Sequence, residues 1–187
     1  MIAGLGNPGR QFEGTRHNAG FMAVDALAAD YKIALQKRKF DVVFGRGRIK
    51  GREVLLAKPQ AYMNLSGPPL RALSDYFRIP IGAMIVIHDD VDLVFERLKI
   101  KEKGGDGGHK GIRSIINAFG GDQFVRVRMG VGRPQAGADV TDHVLNRFGP
   151  GEKAALDILL QRTCEAVVTV LIEGSKEGMN RFNQNPR

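Results

Sequence analysis

The chain has 187 residues, 43% of them hydrophobic and 26% charged, a balance that supplies one ordinary core and excludes the disordered and fibrous classes. Its 28 Lys and Arg against 20 Asp and Glu leave a net charge of +8, which suits a polyanionic partner. Cys164 is the only cysteine, so a disulfide framework and a Cys-rich metal centre are excluded and a reducing cytoplasm is expected; with no leader-like segment and no apolar run of about 18 residues, neither export nor a membrane is.

In chain order, Met1–Leu5 reads as a buried strand, and Asn18–Tyr31 as a helix whose apolar face holds Phe21, Val24, Leu27, Ala28 and Tyr31. Phe40–Ile49 and Glu53–Lys58 read as a hairpin turning at Lys50-Gly51-Arg52. Gly67-Pro68-Pro69 opens a helix to about Phe77, with the prolines tolerated in its first turn. Ala83–Ile87 is apolar throughout, as in a central strand covered on both faces, and is expected to stop at His88-Asp89-Asp90. Arg97–Lys103 reads as extended, Gly104–Gly108 as a loop, the segment with Ile112, Ile115, Ile116 and Phe119 as a helix, and Val125–Gly132 as a strand. Gly151–Glu173 is the longest helix, containing Cys164, followed by a shorter one that frays into a polar tail. Strands alternating with helices predict a single α/β domain over 1–187: a twisted mixed β-sheet with helices on both faces.

Gly4, Gly6 and Gly9 spell G-x-G-x-x-G after the first strand, but the context of a dinucleotide site is missing. A polar loop, and no helix, follows Gly9, and the nearest acids, Asp25 and Asp30, fall inside the next helix instead of ending a second strand. No cofactor is expected. Close backbone approach is expected, with Asn7 at the C-terminal edge of a strand, where α/β sites form.

His17 lies in the loop that follows, and Asp89 ends the buried 83–87 strand, so a His–Asp pair is available in which the carboxylate fixes the imidazole tautomer. No G-x-S-x-G elbow is present, which leaves an activated water as nucleophile. The rival is a metal held by His88, Asp89, Asp90 and Asp92; alternation along a strand turns neighbours to opposite faces and argues against it. Asn64, before a helix, either caps it or holds a carbonyl or water. The glycine loop 104–108, with His109 and Lys110 at its exit, leads into a helix N-terminus and favours an anion, although the ending of a Walker loop is absent. Arg97, Lys99, Lys101 and Lys103 recur every second residue, which places them on one face of a strand. Lys110, Arg113, Arg126 and Arg128 are expected to extend that basic surface, for phosphates more than for base stacking.

Five ordered blocks, GLGNPGRQFEGTRHNAG (4–20), KPQAYMNLSG (58–67), IVIHDDVDL (85–93), GGDGGHKGIRSI (104–115) and RVRMGVGRP (126–134), resemble the bacterial-type peptidyl-tRNA hydrolase family. The resemblance implies a monomeric, metal-independent esterase that releases peptide from the 3′ ribose of tRNA. It implies His17 as the base acting on water, Asp89 as its orienting partner, and Asn7 and Asn64 as substrate-positioning residues, either of them an oxyanion donor. Met63 is expected to line the channel and His109 to lie at its rim, with Lys99, Lys101, Arg113 and Arg128 as tRNA phosphate contacts. Three departures stand out: Phe12 replaces the usual Tyr, Lys110 the common Asn, and Val94 and Glu96 stand where Pro and Gly are common. A non-catalytic RNA-binding protein on the same fold and a metal-dependent phosphohydrolase are the competing readings.

Overall fold

The computed structural model describes residues 1–134 and 137–184; the end of the expected polar tail lies outside the described residues. Strands β1 (Ile2–Gly4), β2 (Lys37–Lys39), β3 (Val42–Ile49), β4 (Arg52–Pro59), β5 (Ile85–Asp90), β6 (Leu98–Lys101) and β7 (Val125–Gly130) form one sheet in the order β2-β3-β4-β1-β5-β7-β6. The four central strands are parallel, and β2, β3 and β6 close the edges antiparallel, so the sheet is mixed as expected.

Alternation sorts the side chains of the central strands into two layers. Ile2, Ile85 and Ile87 pack with α1 (Ala19–Asp30) and the long α5 (Lys153–Glu173), while Ala3, Val86 and Ala57 pack with α2 (Gly67–Tyr76) and α3 (Lys110–Phe119). Pro68 and Pro69 occupy the first turn of α2. The chain leaves β1 toward β4 on one side and β5 on the other, so strand order reverses at β1, the point where α/β sheets place their ligands.

The opening glycines serve this packing. A Cβ on Gly4 would meet the carbonyl of Gly20, and one on Gly20 the carbonyl oxygen of Ile87, so α1 lies almost on the backbones of β1 and β5. Only glycine allows that approach.

The structure corrects the reading in several places. β5 does not stop at Ile87: His88, Asp89 and Asp90 continue it, paired with Arg128, Met129 and Gly130. β2 and a short helix α4 (Val140–Leu145) were not expected, and a final helix, α6, spans Ser175–Phe182. Glu96 takes φ +70, the left-handed conformation that glycine adopts at no steric cost.

Candidate functional site

A cleft of about 520 Å³ opens at the C-terminal ends of β1 and β5, and Asn7, His17, Met63, Asn64, Asp89 and His109 are among its walls. Asp89 sits at its base, nearly inaccessible, between two imidazoles. His17 Nδ1 lies 2.9 and 3.0 Å from the two carboxylate oxygens, and His109 Nε2 lies 3.0 Å from Oδ1.

The hydrogen-bond network fixes the protons. His109 Nδ1 accepts from the N–H groups of Gly111 and Ile112, capping α3, so its proton is on Nε2 and is donated to Asp89. His17 likewise donates from Nδ1 to Asp89, so that in the neutral ring Nε2 carries the lone pair. Burial alone would raise the Asp89 carboxyl; its electrostatic interaction with the His17 and His109 rings and the hydrogen bonds they donate outweigh it and hold it well below the usual carboxylate range.

His88 forms the wall behind. Its Nδ1–H donates to the Asp89 carbonyl at 2.7 Å, and its ring stands edge-on to His109 with centroids 4.6 Å apart. Burial, and then His109, push its pKa well below 6.5, so the ring is neutral and its Nε2 is a buried acceptor without a partner among the described residues.

Asn7 is held from three directions. Its N–H donates to Asn18 Oδ1 at 2.8 Å, its carbonyl accepts from Asn18 Nδ2 at 3.0 Å, and its side-chain oxygen accepts from Met63 N–H at 2.7 Å. With the oxygen engaged, the amide NH₂ of Asn7 is the group left to donate in the cleft. Asn64, on a 3₁₀ turn over Met63–Leu65, is exposed at the same wall.

The loop carrying His17 is clamped from the far end of the chain. Arg16 grips Glu152 through Nη2 at 2.7 and 2.8 Å, donates to the Arg147 carbonyl at 2.8 Å, and lies over the Phe148 ring. α4 closes one side of the cleft with Val140, Thr141, Val144 and Leu145. The Asp139 carboxylate caps α4; the N–H of Thr141 holds its carboxyl low, and Lys110 on α3 adds to that.

The expected residues fall into place unevenly. His109 is not at the rim but is the second donor to Asp89. Phe12 is absent from the cleft lining and packs edge-on against Tyr62 at 6.4 Å. Lys99 and Lys101 are exposed along β6 with Leu98 and Ile100 turned inward, as alternation requires. Arg113 is exposed but engaged with Asp106. The extension of the basic surface to β7 needs correction: Arg126 is buried and donates to the Gly104 and Gly105 carbonyls, and Arg128 is paired with Asp90. Asn18 and Arg16, which hold Asn7 and the His17 loop, had no signal beyond their place beside His17.

His17, Asp89 and His109 offer ligand atoms within 4.8 Å of one another. The nitrogens facing the carboxylate are the protonated ones, so a metal there would require both tautomers to reverse and the α3 cap to be lost. The rival set does not converge either, because Asp90 is held by Arg128 and Asp92 by Arg133.

Fold and site define an α/β protein with an imidazole–carboxylate cleft at the topological switch point of its sheet. A family model described as peptidyl-tRNA hydrolase matches residues 1–187. The chain is 45% identical over 183 residues to the peptidyl-tRNA hydrolase of Caldanaerobacter subterraneus subsp. tengcongensis, covering 98% of each. It is 46% identical over 186 residues to that of Bacillus pumilus, covering 98% of this chain and 99% of the relative. The crystal structure of peptidyl-tRNA hydrolase from Acinetobacter baumannii superposes with a TM-score of 0.90 at 38% identity, over 97% of this chain and 93% of that one. The chain belongs to the peptidyl-tRNA hydrolase family.

Proposed function

We propose that the protein hydrolyses the ester joining a peptide to the 3′ ribose of tRNA, by water activated at His17, and that it works as a monomer in the cytoplasm without a metal. The observation that carries the mechanism is the His17–Asp89 pair, with Nδ1–H committed to the carboxylate and Nε2 left as the base. His17 Nε2 takes a proton from water as the oxygen attacks the ester carbonyl, and Asp89 stabilises the imidazolium that forms. The amide NH₂ of Asn7, pre-aimed by Met63 N–H and Asn18, donates to the oxyanion. The imidazolium returns its proton to the departing ribose oxygen. His109 holds Asp89 from the other side, so the carboxylate cannot swing away from His17. The exposed lysines of β6 take tRNA phosphates.

The test is release of the blocked amino acid from N-acetylaminoacyl-tRNA, with and without EDTA. Turnover should survive EDTA and fall by about 10²–10⁴ in His17→Ala. Full turnover in that variant would remove His17 as the base, and loss with EDTA would revive the metal reading. A merely RNA-binding protein would bind the substrate and release nothing.

A further inference from the structure

The edge of the sheet farthest from β6 carries a second basic surface that the cleft does not use. β2 is Lys37-Arg38-Lys39, all exposed, at the end of the strand order. Lys37 pairs in register with Phe44 and Lys39 with Val42, both of which belong to the core under α2 and α3, so these two lysines project on the α2 side. There the Lys39 ammonium lies 4.2 Å from the Tyr76 ring centroid and 5.0 Å from that of Phe40. Arg46, one strand in, lies over Phe77 at 5.5 Å. Phe40 is 42% exposed and Tyr76 56%, their rings edge-to-face at 5.8 Å.

Charge on an edge strand is by itself the ordinary defence against strand-to-strand aggregation, and that defence needs no aromatic ring. Here the β2–β3 turn holds Phe40 and Asp41 at φ +51 and +54. A bulky side chain seldom accepts that conformation, and such strain persists where surrounding structure imposes it. The turn also lies at the cleft end of the sheet, since Gln60 N–H donates to the Asp41 carbonyl at 2.6 Å just before Tyr62 and Met63. The nearby Asp75 carboxylate is taken by Arg71.

We propose that this corner is a second RNA contact, in which unpaired bases stack on Phe40 and Tyr76 while Lys37, Lys39 and Arg46 hold the phosphates. Exposed rings interleaved with cations are the means by which single-stranded RNA is bound without sequence preference. β6 presents cations on its exposed face and suits backbone contacts alone. Single-stranded parts of the substrate tRNA and RNA of the ribosome share this chemistry. The contact stands apart from the catalytic reading.

The experiment measures binding of a labelled short oligouridylate, deacylated tRNA and isolated ribosomal subunits to the wild type and two variants. One is Phe40→Gly with Tyr76→Ala, in which glycine accepts the left-handed turn; the other is Lys37→Ala with Lys39→Ala. Each should bind oligouridylate about ten-fold more weakly, and the lysine variant should flatten the salt dependence of log K by roughly 1.4, at about 0.7 per lost single-strand phosphate contact. Melting temperature, and hydrolysis of an N-acetylaminoacyl CCA trinucleotide, should be unchanged. A parallel loss on tRNA assigns the contact to the substrate; a loss on ribosomal subunits with tRNA affinity intact assigns it to the ribosome. Oligouridylate binding that is unaltered in both variants overturns the proposal, and so does a loss in the Phe40→Gly, Tyr76→Ala variant that is equal on a blunt RNA duplex, which offers no unpaired bases.

Discussion

Asp89 receives hydrogen bonds from two imidazoles, but only one of them is free to take up a proton. His109 has both nitrogens committed, one to the α3 backbone and one to Asp89, whereas His17 keeps Nε2 open. The division of labour is set by backbone placement, because the glycine loop delivers His109 as a helix cap. That is why the sequence shows His17 and Asp89 as a pair and misplaces His109: the former lie at strand and loop ends fixed by apolar patterning, the latter depends on loop geometry that no periodicity encodes. Arg126 is misread for a related reason. Alternation identifies its face of β7 correctly, but the glycine loop that covers that face is invisible to pattern. His88 bears on stability. Its folded pKa is lowered below the ordinary 6.5, so below that value an unfolded chain binds a proton that the folded one refuses. The stabilisation is therefore complete above pH 6.5 and is lost as pH falls toward the folded value. Melting temperatures taken downward from pH 7 should decline in the wild type and decline less in His88→Phe; parallel curves would exclude His88 as the titrating group.

At the scale of elements, the legible parts are those with apolar period and clear punctuation: β1, the β3–β4 hairpin, α2 with its two prolines, and α5. β2 escapes because Lys-Arg-Lys has no apolar member; it is a strand only because β3 pairs with it. α4, of six residues, is too short to show a period. The contact of α1 with β1 and β5 carries a demand that pattern only hints at. Gly20→Ala would drive a methyl group into the Ile87 carbonyl oxygen, which belongs to backbone and cannot swing aside. The expected cost is about 1–3 kcal/mol or more, the range for overpacking a tight interface. α1 and the His17 loop before it would move together, so a urea melt should show a lower midpoint and the residual folded protein a lower turnover. Gly14→Ala, with open space around the added methyl but φ +73, is the comparison that separates crowding from backbone strain.

Across the whole molecule, the catalytic base stands near the start of the sequence and its clamp near the end. Arg16 is anchored by Arg147 and Glu152, more than 130 residues away, although Glu152 does not line the cleft. Glu152→Gln should lower turnover by up to about a hundred-fold, the penalty for a base displaced by roughly 1 Å, while tRNA binding on the β6 lysines is retained. Equal loss of both would mean that the fold, and not the position of His17, had failed. The clamp also sets an order in time. Translation delivers the N-terminal part first, at about 5–20 residues per second, so His17, Asp89 and His109 all emerge before Glu152 does. Throughout that interval the growing chain is itself a peptide esterified to tRNA, the kind of bond the finished enzyme cuts. A site that is completed only by one of the last helices is not yet assembled while most of its own chain is being made.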